Sequence, residues 1–262
     1  MNKSFNLHFP VAAPPWTKLG RKLESMCRKA LFEFDLLNGA DKVAVALSGG
    51  KDSLTLLYLL KAISGRGFPP FELYAIHVGG AFSCGAGVSV GFLKGICDAL
   101  EIPLLVCTSQ QKAESLECYS CSRERRSLIF EAAKSVGAHT IAFGHHRDDN
   151  AETLLMNLLH KGEFAGMLPK VPMHDYQVTI IRPLIFATEN EIRSFANLYG
   201  FSRIVCQCPV GQVSMRKKAK ELLLEMEKNF PHTKQNLSSA SLLFGSDKAS
   251  RKSMNTESAD RF

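Results

Sequence analysis

Short apolar runs alternate with amphipathic stretches over most of the chain. From Trp16 to Leu37 apolar residues recur at helical spacing, and Asn38-Gly39 closes the run with a C-cap signal. Val43 to Leu47 is apolar throughout and too short for a helix, so it predicts a buried strand; a helix over 54–64 follows. The alternation continues with a strand near 72–78, a helix over 88–100, a strand over 103–107, a helix over 122–136, a strand at 140–143 and a helix over 149–160. Lys161 to Pro172 is punctuated by glycine and proline. Val178 to Ile181 then reads as a strand, and Glu189–Tyr199 and Val213–Lys228 as helices, the latter the last expected.

Strands that alternate with helices imply right-handed βαβ units. The fold class expected is α/β: a doubly wound parallel five-stranded sheet with helices on both faces, an N-terminal helix and a C-terminal helical extension. The expected divisions are an N-terminal helical segment (1–40), a nucleotide-binding domain (41–205), a helical extension with a cysteine pair (206–245) and a disordered tail (246–262). No internal repeat is evident. In such a fold ligands sit beyond the carboxyl ends of the strands.

At 262 residues the chain can bury one substantial core, and 45% hydrophobic with 22% charged residues is a soluble globular balance. No apolar run reaches membrane-spanning length, and Met1 to Pro15 lacks the features of a signal peptide, so the expectation is a cytoplasmic protein with no membrane partner. Lys and Arg outnumber Asp and Glu by 32 to 25, a formal +7, which suits a polyanionic partner. The excess is local: Arg123, Arg125, Arg126 and Lys134 form one cluster and Arg216, Lys217, Lys218 and Lys220 another. Such runs are as often solvated helix faces as nucleic-acid contacts. A homodimer is compatible with the sequence but not read from it.

The densest chemistry lies where the first strand ends. Ser48-Gly49-Gly50-Lys51-Asp52-Ser53 leaves a buried strand and enters a helix. The two glycines let backbone N–H groups approach phosphate oxygens, Ser48 and Ser53 add hydroxyls, Lys51 adds a cation, and the helix N-terminus adds its positive end. The spacing is not that of a Walker loop, and no GxGxxG is present, which disfavours γ-phosphate cleavage. A second strand end, Gly144-His145-His146-Arg147-Asp148-Asp149, can line the same crevice. Gly144 would admit adenosine closely, and Asp148 and Asp149 are either helix-start acids or holders of a phosphate-bridging Mg²⁺. His145 and His146 are read as site lining, since adjacent residues seldom converge on one ion.

Eight cysteines without a secretion signal argue against a disulfide scaffold. Cys27, Cys97 and Cys107 fall in core-like settings, while Cys84 lies in a glycine-rich loop. Two pairs remain, Cys118-Tyr-Ser-Cys121 and Cys206-Gln-Cys208. The first has a chelating spacing beside three arginines that favour thiolate; it suits half of a zinc site, a redox dithiol or part of an iron–sulfur site.

Ser-Gly-Gly-Lys-Asp-Ser after a strand resembles the PP-loop of the ATP pyrophosphatase superfamily, whose members cleave ATP between the α- and β-phosphates to adenylate an acceptor. The cysteine motif followed by Ser-Arg-x-Arg-Arg, Gly144 to Asp149, Gly162 to Lys170, Ile181-Arg-Pro-Leu184 and the later cysteine pair extend the likeness to the tRNA-cytidine(32) 2-sulfurtransferases over roughly Lys18 to Phe244. That resemblance implies ATP, Mg²⁺ and a [4Fe–4S] cluster as cofactors, with tRNA and a sulfur donor such as a cysteine desulfurase or sulfide as partners. It implies a loop, Ser48 to Ser53, on pyrophosphate, nucleotide contacts from His77, Gly144, Asp148 and Asp149, and cluster ligation by Cys118, Cys121 and Cys208, with Cys206 in reserve. Lys51, Asp52, Asp149 and Arg126 are the catalytic candidates; Arg123, Arg125 and Lys170 are expected on RNA or near the reaction centre.

The chain departs from the family in three places. Its downstream cysteine pair is CxC rather than CxxC, its second strand ends His77-Val78-Gly79-Gly80, and the adjoining Ala81 to Val90 is rich in Gly and Ser. Uridine thiolases and lysidine synthetase-like ligases share parts of the pattern; the former add zinc knuckles at their ends and the latter need no paired cysteines. A zinc-stabilised RNA-binding module is the reading from another class.

Overall fold

The computed structural model describes residues 9–80, 89–110, 118–201 and 215–245, the side chains of Cys118 and Tyr119 excepted. Its strands are β1 (Lys42–Ala46), β2 (Glu72–Gly79), β3 (Leu104–Thr108), β4 (Thr140–Ala142), β5 (Lys170–Met173) and β6 (Val178–Ile181). They form one sheet in the order β3-β2-β1-β4-β6-β5. The first five in that order run parallel and β5 is antiparallel to β6.

The parallel five-stranded core is as expected, and β5 is an addition. Pro172 argues against a strand in a sequence reading, because proline donates no ladder hydrogen bond. The structure avoids the problem by parity. Arg182 N–H donates to Pro169 O (2.9 Å), so Pro172, paired with Thr179, has its nitrogen on the open edge of the sheet.

The helices are α1 (Lys18–Glu33), α2 (Lys51–Ile63), α3 (Val90–Ala99), α4 (Cys118–Ser135), α5 (Arg147–Lys161), α6 (Glu189–Leu198), α7 (Met215–Asn229) and α8 (Thr233–Phe244). Alternation along β1 divides them into layers. Val43 and Val45 join a core with Leu23 and Cys27 of α1, Leu93 and Ile96 of α3, and Ile192 and Phe195 of α6. Ala44 faces the other way, with Ile129, Phe130 and Ala133 of α4. Helix α2 is central: Leu54, Leu56, Leu57, Leu59 and Leu60 are all fully buried. At about 2 kcal/mol for each buried leucine, its N-terminus is held firmly.

Helix α8 was not expected. Its buried positions are Thr233, Ser238 and Ser241; Leu237 and Leu242 are only partly buried and Leu243 and Phe244 are 75% and 76% exposed, so its apolar residues form no clean stripe. It docks through Asn150, fully buried on α5: Asn150 Nδ2 donates to Ser238 Oγ (3.0 Å), and Asn150 Oδ1 accepts from Met167 N–H (2.6 Å) and Ser241 Oγ (3.3 Å). Helix α7 packs on the same helix through Ala219 and Leu223 against Ala151 and Leu155.

Chain order reverses at β1. Strands β2 and β3 extend to one side of it and β4 lies on the other, so the ends of β1 and β4 open the crevice in which such sheets bind ligands. No helix of the described residues is long and apolar enough to cross a membrane.

Candidate active site

The loop after β1 passes from strand to helix through two glycines. Gly49 has φ +83°, a conformation open to glycine, and Gly50 is the N-cap of α2 without a side-chain cap. The first-turn N–H groups of α2 therefore face the crevice without a capping side chain. Ser48 Oγ accepts from Gly50 N–H (3.3 Å) and lies 3.1 Å from Ser53 Oγ, which donates to Gly50 O (3.1 Å). The two hydroxyls thus brace the loop from inside. Lys51 Nζ rests between Asp52 Oδ2 (3.0 Å) and Glu189 Oε1 (3.5 Å).

The second loop folds around a capping box. His146 N–H donates to Asp149 Oδ2 (3.0 Å) and Asp149 N–H donates to His146 Nδ1 (3.3 Å). Nδ1 accepts, and Nε2 on the other side of the ring faces Asp52 Oδ1 at 3.7 Å. That Asp52 oxygen is buried and makes no hydrogen bond. Asp149 Oδ1 lies 3.7 Å from Arg216 of α7. Burial works to raise the Asp149 carboxyl, but the Arg216 charge and the His146 backbone N–H hold it below its usual range.

Asp148 points elsewhere. Its Oδ2 accepts from Glu189 N–H (2.9 Å) and its Oδ1 lies 3.4 Å from Arg147, so it caps the first turn of α6. Asp52 and Asp149 are the carboxylates turned to the crevice. Gly144 permits a close approach to the backbone of α2: a Cβ there would stand 2.9 Å from the Asp52 carbonyl carbon and 3.0 Å from Ser53 N. His145 stacks on Phe143 and is pushed down to about 3 by burial and by Arg182, which makes it a neutral lining residue.

His77 closes the third side. It is buried at the end of β2, with Nδ1 2.8 Å from Leu47 O; burial and Arg125 lower its pKa against the contribution of that hydrogen bond. The ring is neutral, Nδ1–H donates to Leu47, and Nε2 is left as an acceptor. Of the three clustered arginines, Arg125 is the inward one: its charge reaches His77 and its buried Nε has no hydrogen-bond partner. Arg126 Nε donates to Ser122 O (3.2 Å) on its own helix, and Arg123 is exposed. Lys170 pairs with Asp35 (3.7 Å) after α1.

Cys118 and Cys121 occupy the first turn of α4. Glu124, one turn on, ties that helix to the end of β3: Oε1 accepts from Gln110 N–H (2.9 Å) and Oε2 from Ser109 Oγ (3.1 Å). The cysteine turn therefore lies beyond the carboxyl ends of the parallel strands, as the glycine loop does. Cys84, Cys206 and Cys208 lie outside the described residues. Among the described residues no three His, Cys, Asp or Glu side chains converge as a metal site. Burial pushes the Cys27 thiol up to about 12 and Cys97 to about 11, as expected of inert core thiols.

Three acids of the site carry no motif. Glu189 accepts from Lys220 (2.6 Å) and Arg193 (2.9 Å) while pairing with Lys51; burial works to raise its carboxyl, but these cations bring it down to about 2. Glu152, buried one turn after Asp149, is pushed up to about 7 by burial and by the Asp149 charge. Glu124 is the third.

A glycine loop at the switch point of a parallel sheet, backed by a helix N-terminus, a lysine and two crevice-facing carboxylates, defines a nucleotide-binding α/β protein shaped to hold a phosphate chain. Residues 17–203 match the PP-loop domain, an ATP-binding family. The chain is 33% identical to the tRNA-cytidine(32) 2-sulfurtransferase of Syntrophotalea carbinolica, covering 84% of this chain and 88% of that protein. It is also 33% identical to the Geobacter sulfurreducens protein of the same name, over 83% and 87% of the two chains. The fold is shared with the U34-tRNA thiolase from Methanococcus maripaludis, solved with its [4Fe-4S] cluster, at TM-score 0.70 and 24% identity over 85% of this chain and 78% of that one. The chain belongs to the PP-loop family and, within it, to the tRNA-cytidine(32) 2-sulfurtransferases, a family of tRNA-modifying enzymes.

Proposed function

We propose that this protein thiolates tRNA: ATP adenylates the C2 carbonyl of a base, cytidine 32 by family, and sulfur then displaces AMP. The observation that carries the reading is that the phosphate-shaped loop and the cysteine turn both lie beyond the carboxyl ends of the parallel strands, in a chain whose relatives are named for this reaction.

Ser48 to Ser53 hold the β- and γ-phosphates through backbone N–H groups and hydroxyls, and Lys51 turns from its carboxylates to the leaving pyrophosphate. The carboxylates of Asp52 and Asp149 fit a hydrated Mg²⁺, the buried Oδ1 of Asp52 having no other hydrogen-bond partner, and the ion would offset phosphate charge there. His77 Nε2 offers an acceptor to the nucleotide, and Arg125 offers a cation to the adenylated base or its phosphate. Arg123 and the exposed lysines of α7 serve the RNA backbone, positioning it without specifying the base. Base choice rests on an unpaired anticodon-loop nucleotide.

Cys118 and Cys121, one helical turn apart, suit two ligands of an iron–sulfur cluster, with Cys208 as the third and Cys206 in reserve. When bound, the cluster supplies an open iron that can carry the transferred sulfur. A desulfurase or sulfide would load it, and the reaction belongs in the cytoplasm. The test is nucleoside mass spectrometry of tRNA from a deletion strain. Loss of 2-thiocytidine, restored by the wild-type chain, is expected; an unchanged set of thionucleosides would sink the proposal.

A further inference from the structure

Glu189 belongs to neither the glycine loop nor the cysteine motifs, yet it joins three elements. Its side chain is 16% exposed and receives Lys51 of α2 at 3.5 Å, Arg193 of its own helix at 2.9 Å and Lys220 of α7 at 2.6 Å. Its backbone N–H is bonded to Asp148 of α5, so the carboxylate starts from a fixed point. One turn before Lys220, Arg216 reaches Asp149 at 3.7 Å and Thr153 Oγ1 at 3.4 Å. Helix α7 is thus clamped to the nucleotide crevice at two successive turns, both through carboxylates that border the phosphate loop.

We propose that Glu189 is a positioning residue that couples occupancy of the loop to the docking of α7. Without nucleotide, its charge is shared by three cations, one of them the lysine that must meet pyrophosphate. A polyphosphate attracts Lys51 more strongly than one carboxylate can. When Lys51 leaves, Glu189 is shared only by Lys220 and Arg193, and the Lys220 clamp tightens. The same negative charge repels the incoming phosphates, so Glu189 costs nucleotide affinity in exchange for coupling. No bond is made or broken; Lys51 exchanges one counter-ion for another. The inference rests on the reading of Ser48 to Ser53 as a pyrophosphate site.

The test uses the full chain with Mg²⁺ and α,β-methylene-ATP, whose α–β linkage cannot be cleaved. Calorimetry gives Kd, and hydrogen exchange follows the amides of α7. In the wild type, nucleotide should slow exchange in α7. Glu189→Gln should bind about threefold more tightly, the order expected for removing one partly exposed charge, and lose the α7 response. Lys220→Met cuts the same link from the other side; it should also lose the response and, because coupling is reciprocal, bind nucleotide more weakly than the wild type. A merely structural role for Glu189 predicts weaker binding. Weaker binding by Glu189→Gln, or an α7 response that survives in both variants, overturns the coupling. A wild type that binds no nucleotide overturns it too, but at the loop and not at Glu189.

Discussion

Replacing Gly144 with Ala separates two uses of this glycine. A methyl group there would meet the Asp52 carbonyl carbon at 2.9 Å, Ser53 N at 3.0 Å and Asp52 O at 3.1 Å. All three are backbone atoms of the first turn of α2, a helix anchored by five fully buried leucines, so no side chain can swing away. The φ of Gly144 is not positive, which removes backbone strain as a competing cause. Relief requires moving the exit of β4 from α2 by about half an ångström, and overpacking of this kind costs about 2 kcal/mol. For a chain of this size that is a fall in Tm of about 5 °C. The shift also opens the phosphate loop against the second loop, so ATP binding should weaken by about tenfold or more. The assay is thermal unfolding of the nucleotide-free variant followed by calorimetric titration with nucleotide. An unchanged Tm together with weakened binding would refute the argument, because a clash with adenosine arises only when adenosine is present.

Three other sets of variants probe separate parts of the molecule. Glu152→Gln should be more stable than the wild type at pH 8 and equal to it near pH 4. The carboxyl, ordinarily near 4.5, lies at about 7 here, so the folded state is increasingly penalised as pH rises from 4.5 through 7, by up to about 3 kcal/mol. A pH-independent difference in Tm would refute the assignment. Asn150→Ala removes the side chain that joins α5, α8 and the Met167 segment, and should cost about 3 kcal/mol in denaturant unfolding; a change below about 1 kcal/mol would show that the hub is replaceable. In protein purified without oxygen, Cys118→Ala, Cys121→Ala and Cys208→Ala should each lose bound iron and acid-labile sulfide while Cys206→Ala retains them. The reverse pattern for the last two would exchange the third ligand.

Hydrophobic periodicity sufficed for the parallel core, since each buried strand and amphipathic helix there carries its own local signal. Helix α8 had no such signal because it docks through serines on a buried asparagine, and a polar contact of that kind is invisible to periodicity. Strand β5 was hidden by Pro172, whose edge-facing nitrogen becomes evident only with the register. The loop Ser48 to Ser53 was legible because its chemistry is contiguous. Glu189 was not, since its meaning comes from Lys51 and Lys220, far away in sequence and brought together by the sheet. Asp148 and Asp149 look alike in sequence and diverge in space, one capping α6 and the other facing the crevice. Helical geometry turns neighbours in different directions, and only the packing of α6 decides which acid caps it and which faces the crevice.

In the proposed function ATP is broken between its α- and β-phosphates to activate a tRNA base. The most direct measurement is the product balance of the purified, anaerobically prepared protein with α-labelled ATP, unmodified tRNA and sulfide. One AMP and one pyrophosphate released for each 2-thiocytidine formed is the predicted result. Release of ADP and phosphate, or thiolation without AMP, would contradict it.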